Sequence, residues 1–203
     1  MAASLSVELM KGAVARVGAK MEEVADELNS LDAALGDGDL GVTMVRGTRA
    51  ILADLDTFPA DDIGAALLKC AQGFTKTSGS TFGTLVATGL MAMARRTKGE
   101  AEISWRDLAP LLDEALAAMS SRGKAELGDK TVLDALDAVR RGIEGHDDPS
   151  GMAAAALREM RETLDRLREE PARQGRARIF ADRSIGRDDP GMIAVQRVVE
   201  GLA

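Results

Sequence analysis

The stretch Leu31-Asp32-Ala33-Ala34-Leu35-Gly36-Asp37-Gly38-Asp39-Leu40-Gly41-Val42-Thr43-Met44 sits at a change of rhythm, and the reading of its two flanks decides the fold. Before it, Val7, Met10, Val14, Val17, Met21, Val24, Leu28 and Leu31 recur three and four residues apart. That is the spacing of one apolar helix face, so a long amphipathic helix is predicted to end at Gly36. After it, Val42, Met44, Val45, Ala50, Ile51 and Leu55 predict a second helix opening between Asp39 and Thr43. Between the helices, Asp32, Asp37 and Asp39 fall close together among glycines that let the backbone turn tightly. Carboxylates so near one another repel unless a cation sits among them. Magnesium takes oxygen ligands of this kind and keeps positions open for phosphate oxygens. The first amides of the second helix lack intrahelical partners and, with the macrodipole, favour an anion. The corner reads as a metal and phosphate site.

Two familiar loops do not fit. Gly36 to Thr43 approximates G-x-x-x-x-G-K-[ST], but Val42 stands at the lysine position and a helix, not a strand, precedes it. A calcium loop starting at Asp37 would need an oxygen ligand and a glutamate where Gly41 and Thr48 stand.

The whole chain agrees with helices. Among 203 residues, 45% are hydrophobic and only 2% aromatic, with no tyrosine and one tryptophan, so strand formers are scarce and an all-α protein of one domain is expected. The net charge of −7 argues against nucleic-acid binding, which needs a basic surface. No apolar run is long enough to span a bilayer and Met1 to Lys11 lacks a leader pattern, so a cytoplasmic protein without membrane association is expected. Cys70, among Leu67, Leu68 and Phe74, reads as a small buried residue. The single histidine, His146, reads as an exposed loop residue and leaves little room for histidine-centred catalysis.

Six more helices follow by the same rule. The third, restarting after Pro59, runs through Ile63, Leu67, Leu68, Ala71 and Phe74 into a segment rich in hydroxyls and glycine, Thr75 to Thr84. That segment opens the fourth helix and fits either a phosphate grip or a capping turn. The fifth starts at Trp105 and gives way to a loop from Ser120 to Gly128; Gly128-Asp129-Lys130-Thr131 starts the sixth. Pro149 leads into the seventh, which Pro171 ends, with its charges on a solvated face. The methionines read as core filling. The segment up to Asp189 is expected to be irregular, and Arg173, Arg176, Arg178, Arg183 and Arg187 make it a second anion-site candidate, since arginine forks match phosphate oxygens. Asp189-Pro190-Gly191 caps the eighth helix. If consecutive helices are antiparallel, the loops after helices one, three, five and seven share one rim, and every polar candidate converges there.

With these residues assembled, the chain resembles the nucleotide-binding L subunit of dihydroxyacetone kinases. The match rests on Leu31 to Asp39, Ser78-Gly79 with Phe82-Gly83-Thr84, Gly128-Asp129-Lys130-Thr131, and Gly175-Arg176-Ala177 with Arg183-Ser184-Ile185-Gly186 and Asp189-Pro190-Gly191, in family order. The resemblance implies an eight-helix antiparallel barrel that binds ADP or ATP through two magnesium ions. It implies that Asp32, Asp37 and Asp39 are the metal ligands at the catalytic centre. It further implies that Leu40, Gly41, Val42, Thr43, Thr77 and Ser78 meet the phosphates, and that Gly123, Val132, Arg176, Asp189, Pro190 and Gly191 line the nucleotide. A separate K subunit would hold the ketose, and either ATP or a phosphocarrier protein would supply the phosphoryl group. Two positions depart from the family pattern: Leu40 stands where histidine is usual, and Lys76-Thr77-Ser78-Gly79-Ser80 replaces a more glycine-rich segment, with Lys76 a candidate source of replacement charge. The alternatives are a domain that phosphorylates an acyl group on another partner, and a non-catalytic nucleotide or metal sensor that binds a regulator.

Overall fold

The computed structural model describes residues 4–203. Its long helices are α1 (Val7–Leu35), α2 (Leu40–Ala53), α3 (Ile63–Thr77), α4 (Thr81–Arg96), α5 (Leu108–Gly123), α6 (Val132–Ile143) and α7 (Pro149–Arg168), followed by a four-residue α8 (Ala181–Ser184) and a long α9 (Pro190–Leu202). Most of them start on a short polar side chain that accepts an otherwise orphaned amide: Ser6 from Leu9, Asp62 from Ala65, Ser80 from Gly83, Asp148 from Gly151 and Asp189 from Met192. Thr131 and Asp134 form a reciprocal capping box at the start of α6. Pro149 and Pro190 occupy first helical positions, where a missing N–H costs nothing.

Each long helix packs on the next, and α9 packs on α1, α6 and α7, so the antiparallel ring of eight closes as predicted. The stripe read in the first helix faces inward, with Val7, Met10, Met21, Val24 and Leu28 buried. Met21, Leu28, Ile63, Met160 and Met192 are among the most completely enclosed side chains. Burying each is worth about 1.5–3 kcal/mol. Cys70 is buried too, and burial pushes its thiol up to about 12. None of the described helices is long and apolar enough to cross a membrane.

Several boundaries differ from expectation. Ser4–Ser6 (β1) and Glu102–Ser104 (β2) form a two-stranded antiparallel pair, Leu5 opposite Ile103, at the rim where α1 begins. Trp105 opens a 3-10 turn, Trp105–Asp107, and α5 proper begins at Leu108. That helix continues past Ser120 to Gly123 and stops at Lys124, whose φ of 53° is left-handed. The segment after Pro171 is not wholly irregular, since it contains a 3-10 turn, Arg176–Phe180, and α8. Leu68 points outward on α3, and His146 is half-buried in its loop.

Candidate functional site

Asp32, on the last turn of α1, shapes the corner after it. Its Oδ2 accepts the amides of Gly38 (2.9 Å) and Asp39 (3.0 Å), which folds the chain back, and Gly38 takes a φ of 78° that an L side chain rarely adopts. At Gly36 an added Cβ would stand 2.3 Å from Asp32 Oδ1, so glycine leaves the carboxylate its room. As a result, one carboxylate oxygen from each of Asp32, Asp37 and Asp39 lies within 4.8 Å of the others. Asp32 is half-buried and the other two are exposed. Three hard oxygen donors converging at that separation fit a divalent cation with positions left for other oxygens. Arg176 forms an ion pair with Asp37 and brings one positive charge to the edge of the trio.

The trio forms one end of a cleft to which all four loops of this rim contribute. Leu40, next to Asp39, together with Phe82, Leu85, Met119, Val132 and Pro190 gives the cleft an apolar lining. Ser80, Thr81, Thr131 and Asp189 add polar groups between. Asp189 is the N-cap of α9, and its carboxyl is pushed up to about 6 by burial, although the Met192 and Gly191 amides and the Lys130 ammonium favour its charged form. The carboxylates therefore suit a cation-bound polyanion, and the apolar lining suits a flat ring.

The predicted residues divide into two groups. Asp32, Asp37, Asp39, Leu40, Gly123, Val132, Arg176, Asp189, Pro190 and Gly191 all border the cleft. Gly41, Val42, Thr43, Thr77 and Ser78 are not among the residues that line it. The Val42 amide donates to Asn29 Oδ1 (3.2 Å) and the Thr43 amide to the Asp39 carbonyl (2.9 Å), so both are engaged within the protein. Thr77 Oγ1 donates to the Gly73 carbonyl at 2.7 Å. Ser78 Oγ pairs with Ser80 Oγ at 2.9 Å and accepts the Ser80 amide, positioning the residue that caps α4.

Of the five loop arginines only Arg176 reaches the cleft. Arg173 pairs with Glu170, Arg183 lies over the Phe180 ring 5.1 Å from its centroid, and Arg178 and Arg187 are exposed. Arg176 and Arg178 lie on the 3-10 turn and Arg183 on α8, so these three leave ordered turns in different directions, which a loop read as irregular could not reveal. Lys76 pairs with Asp54 at 3.6 Å instead of meeting the trio. Ser80, Thr81 and Phe82 belong to the segment read as a phosphate grip or capping turn without being singled out, and Leu85 and Met119 are cleft residues that sequence reasoning missed. Phe82 and Leu85, spaced i and i+3 at a helix start next to hydroxyls, were the available signal.

A model of the DAK2 domain matches residues 34–203. The chain is 31% identical over 180 residues to the ADP-binding subunit DhaL of PEP-dependent dihydroxyacetone kinase 2 from Listeria innocua, covering 86% of this chain and 83% of that one. This is a DAK2-domain protein. The DAK2 relatives include the DhaL subunit of the PEP-dependent dihydroxyacetone kinase of Escherichia coli, 28% identical across 98% of this chain and 97% of that subunit. The solved dihydroxyacetone kinase of C. freundii in complex with AMP-PNP and Mg2+ matches with a TM-score of 0.78 and 25% identity over 97% of this chain. This chain spans only 33% of that larger kinase.

Proposed function

We propose that residues 1–203 act as one L-type domain, the nucleotide-binding subunit of a kinase for dihydroxyacetone or a related short ketose. The observation that carries this is the pairing, in one cleft, of three converging carboxylates with an apolar slot. Asp32, Asp37 and Asp39 would hold two magnesium ions, Arg176 would reach the phosphate tail of ADP or ATP, and Phe82, Leu85, Met119 and Val132 would pack against the base. When bound, magnesium supplies charge neutralisation on the transferred phosphoryl group. The chain's own part is positioning: the amide clamp on Asp32 fixes the donor set before ligand arrives. The ketose would sit on a separate K subunit, and either free ATP or a phosphocarrier protein would charge the nucleotide.

Thermal melting with ADP, with and without Mg2+, tests the site for the parent and for Asp37→Asn. At a hundredfold excess over Kd a ligand stabilises the folded state by about 2.7 kcal/mol. For a chain of this size that is a rise in Tm of roughly 5–11 °C. The rise should need both ADP and Mg2+ and largely vanish in Asp37→Asn; an unshifted parent removes the nucleotide reading. One observation favours a second reading, a nucleotide sensor without transfer: Leu40 presents an apolar side chain to the cleft beside the trio. Single-turnover phosphate transfer with a purified partner separates the two.

A further inference from the structure

Lys130 is the largest of the fully enclosed side chains, 1% exposed, and it lies beside the cleft without reaching it. An ammonium has three protons to donate, and burying it without partners is costly. Nζ directs bonds to three main-chain oxygens: Arg168 (3.0 Å), Glu170 (2.8 Å) and Ser184 (2.7 Å). The first two oxygens lie at the end of α7 and the third at the end of α8. One side chain thus draws together both ends of the loop 171–183.

Neighbouring bonds finish the neck. Ser184 Oγ accepts the Ala172 amide at 2.8 Å, and the Gly186 amide donates to the Arg168 carbonyl at 2.8 Å. The root of Lys130 is fixed as well: its φ of 62° lies in the turn 128–131, where the Asp134 carboxylate accepts the Gly128 and Thr131 amides. Arg173 donates its amide to the Asp129 carbonyl, and Gln174 Nε2 donates to the Lys124 carbonyl. The loop so tethered carries Arg176 to Asp37.

We propose that Lys130 is a positioning residue for nucleotide binding, which cinches the neck of the 171–183 loop and so sets Arg176 against the acidic trio. It acts on the ligand only through that loop. The proposal rests on the nucleotide reading above.

The test compares parent, Lys130→Met, Arg176→Ala and the double variant. Two readouts are used: the rate of trypsin cleavage between residues 173 and 187 without ligand, and the Kd for Mg2+-ADP. Lys130→Met should keep its helical circular dichroism, be cut at least about tenfold faster, and bind Mg2+-ADP about tenfold more weakly, the scale of a lost supporting contact. Arg176→Ala should weaken the parent by a similar factor but change Lys130→Met by under about threefold, because the guanidinium is already out of place. Unchanged cleavage and Kd in Lys130→Met overturn the proposal, and so does an Arg176→Ala penalty of equal size in both backgrounds. If Lys130→Met does not fold, Ser184→Ala removes one fastener of the same neck; faster cleavage supports the cinch and an unchanged rate overturns it. Absence of Mg2+-ADP binding by the parent overturns the nucleotide reading and the ligand half of this proposal, while cleavage still decides the cinch.

Discussion

Gly41→Ala isolates the contact that seats α2 against α1 beside the trio. A Cβ at position 41 would stand 2.0 Å from the Ala25 carbonyl oxygen, 2.8 Å from its carbon and 2.9 Å from Asn29 Oδ1. The nearest obstacle is helical backbone, which cannot swing aside as a side chain can. Reaching an ordinary 3.4 Å contact means opening the α1–α2 junction by about 1.4 Å. Overpacking of this kind costs typically about 1–3 kcal/mol, and a backbone obstacle puts it at the upper end. Alanine returns about 1 kcal/mol of helix propensity. The net loss is about 2 kcal/mol, a fall in Tm of roughly 4–8 °C by calorimetry. Gly12→Ala is the control, since its Cβ would meet only the Arg16 guanidinium at 3.7 Å in the same α1, and it should be neutral or gain up to about 1 kcal/mol. Because Asp39 and Leu40 immediately precede the displaced residue, Mg2+-ADP affinity should fall in Gly41→Ala and stay at the parent value in Gly12→Ala. A Gly41→Ala protein as stable as the Gly12→Ala one would refute the reasoning.

Asp134→Ala strips the Gly128 and Thr131 amides of their acceptor and should cost about 3 kcal/mol, lowering Tm by roughly 6–12 °C. The Asp189 carboxyl titrates near 6 when folded, against an ordinary 3.8, so between those values the folded chain holds more proton than the unfolded one and its stability falls as pH rises. Two units correspond to about 3 kcal/mol, and Asp189→Asn, which keeps an acceptor for the Met192 amide, should flatten the profile of Tm between about pH 4 and 6. Cys70, buried with its thiol pushed up to about 12, should resist a thiol reagent at pH 8 in the native protein and react at once in denaturant. Arg176→Ala removes the cation paired with Asp37, so Mg2+ without nucleotide should bind more tightly by isothermal titration while Mg2+-ADP binds more weakly.

The helices were legible because their signal is local. The apolar spacing from Val7 to Leu31 and the starts at Thr131 and Asp189 are set within one or two turns, and the structure keeps them. The converging aspartates were legible for the same reason, as all three belong to one corner. What long-range contact decides was not. Nothing local to Ser4–Ser6 announces a partner at Glu102–Ser104, and Lys130 in Gly-Asp-Lys-Thr reads only as part of a helix start until the oxygens of Arg168, Glu170 and Ser184 close over it. The loop arginines look collective in one dimension, whereas the folded loop sends Arg173 to Glu170, Arg176 to Asp37 and Arg183 over Phe180.

The closure of the ring by α9 against α1 sets an order of events during synthesis. Arg197 of α9 grips Glu27 of α1 with two bonds, at 2.6 and 3.0 Å, across 170 positions of sequence, and Asp189 to Gly191 complete the cleft from that same final helix. A ribosome-bound intermediate lacking α9 has the aspartate corner in hand and no finished pocket around it. Completion of the cleft therefore has to wait until this helix emerges, and until then the faces of α1, α6 and α7 that α9 covers are open to chaperones.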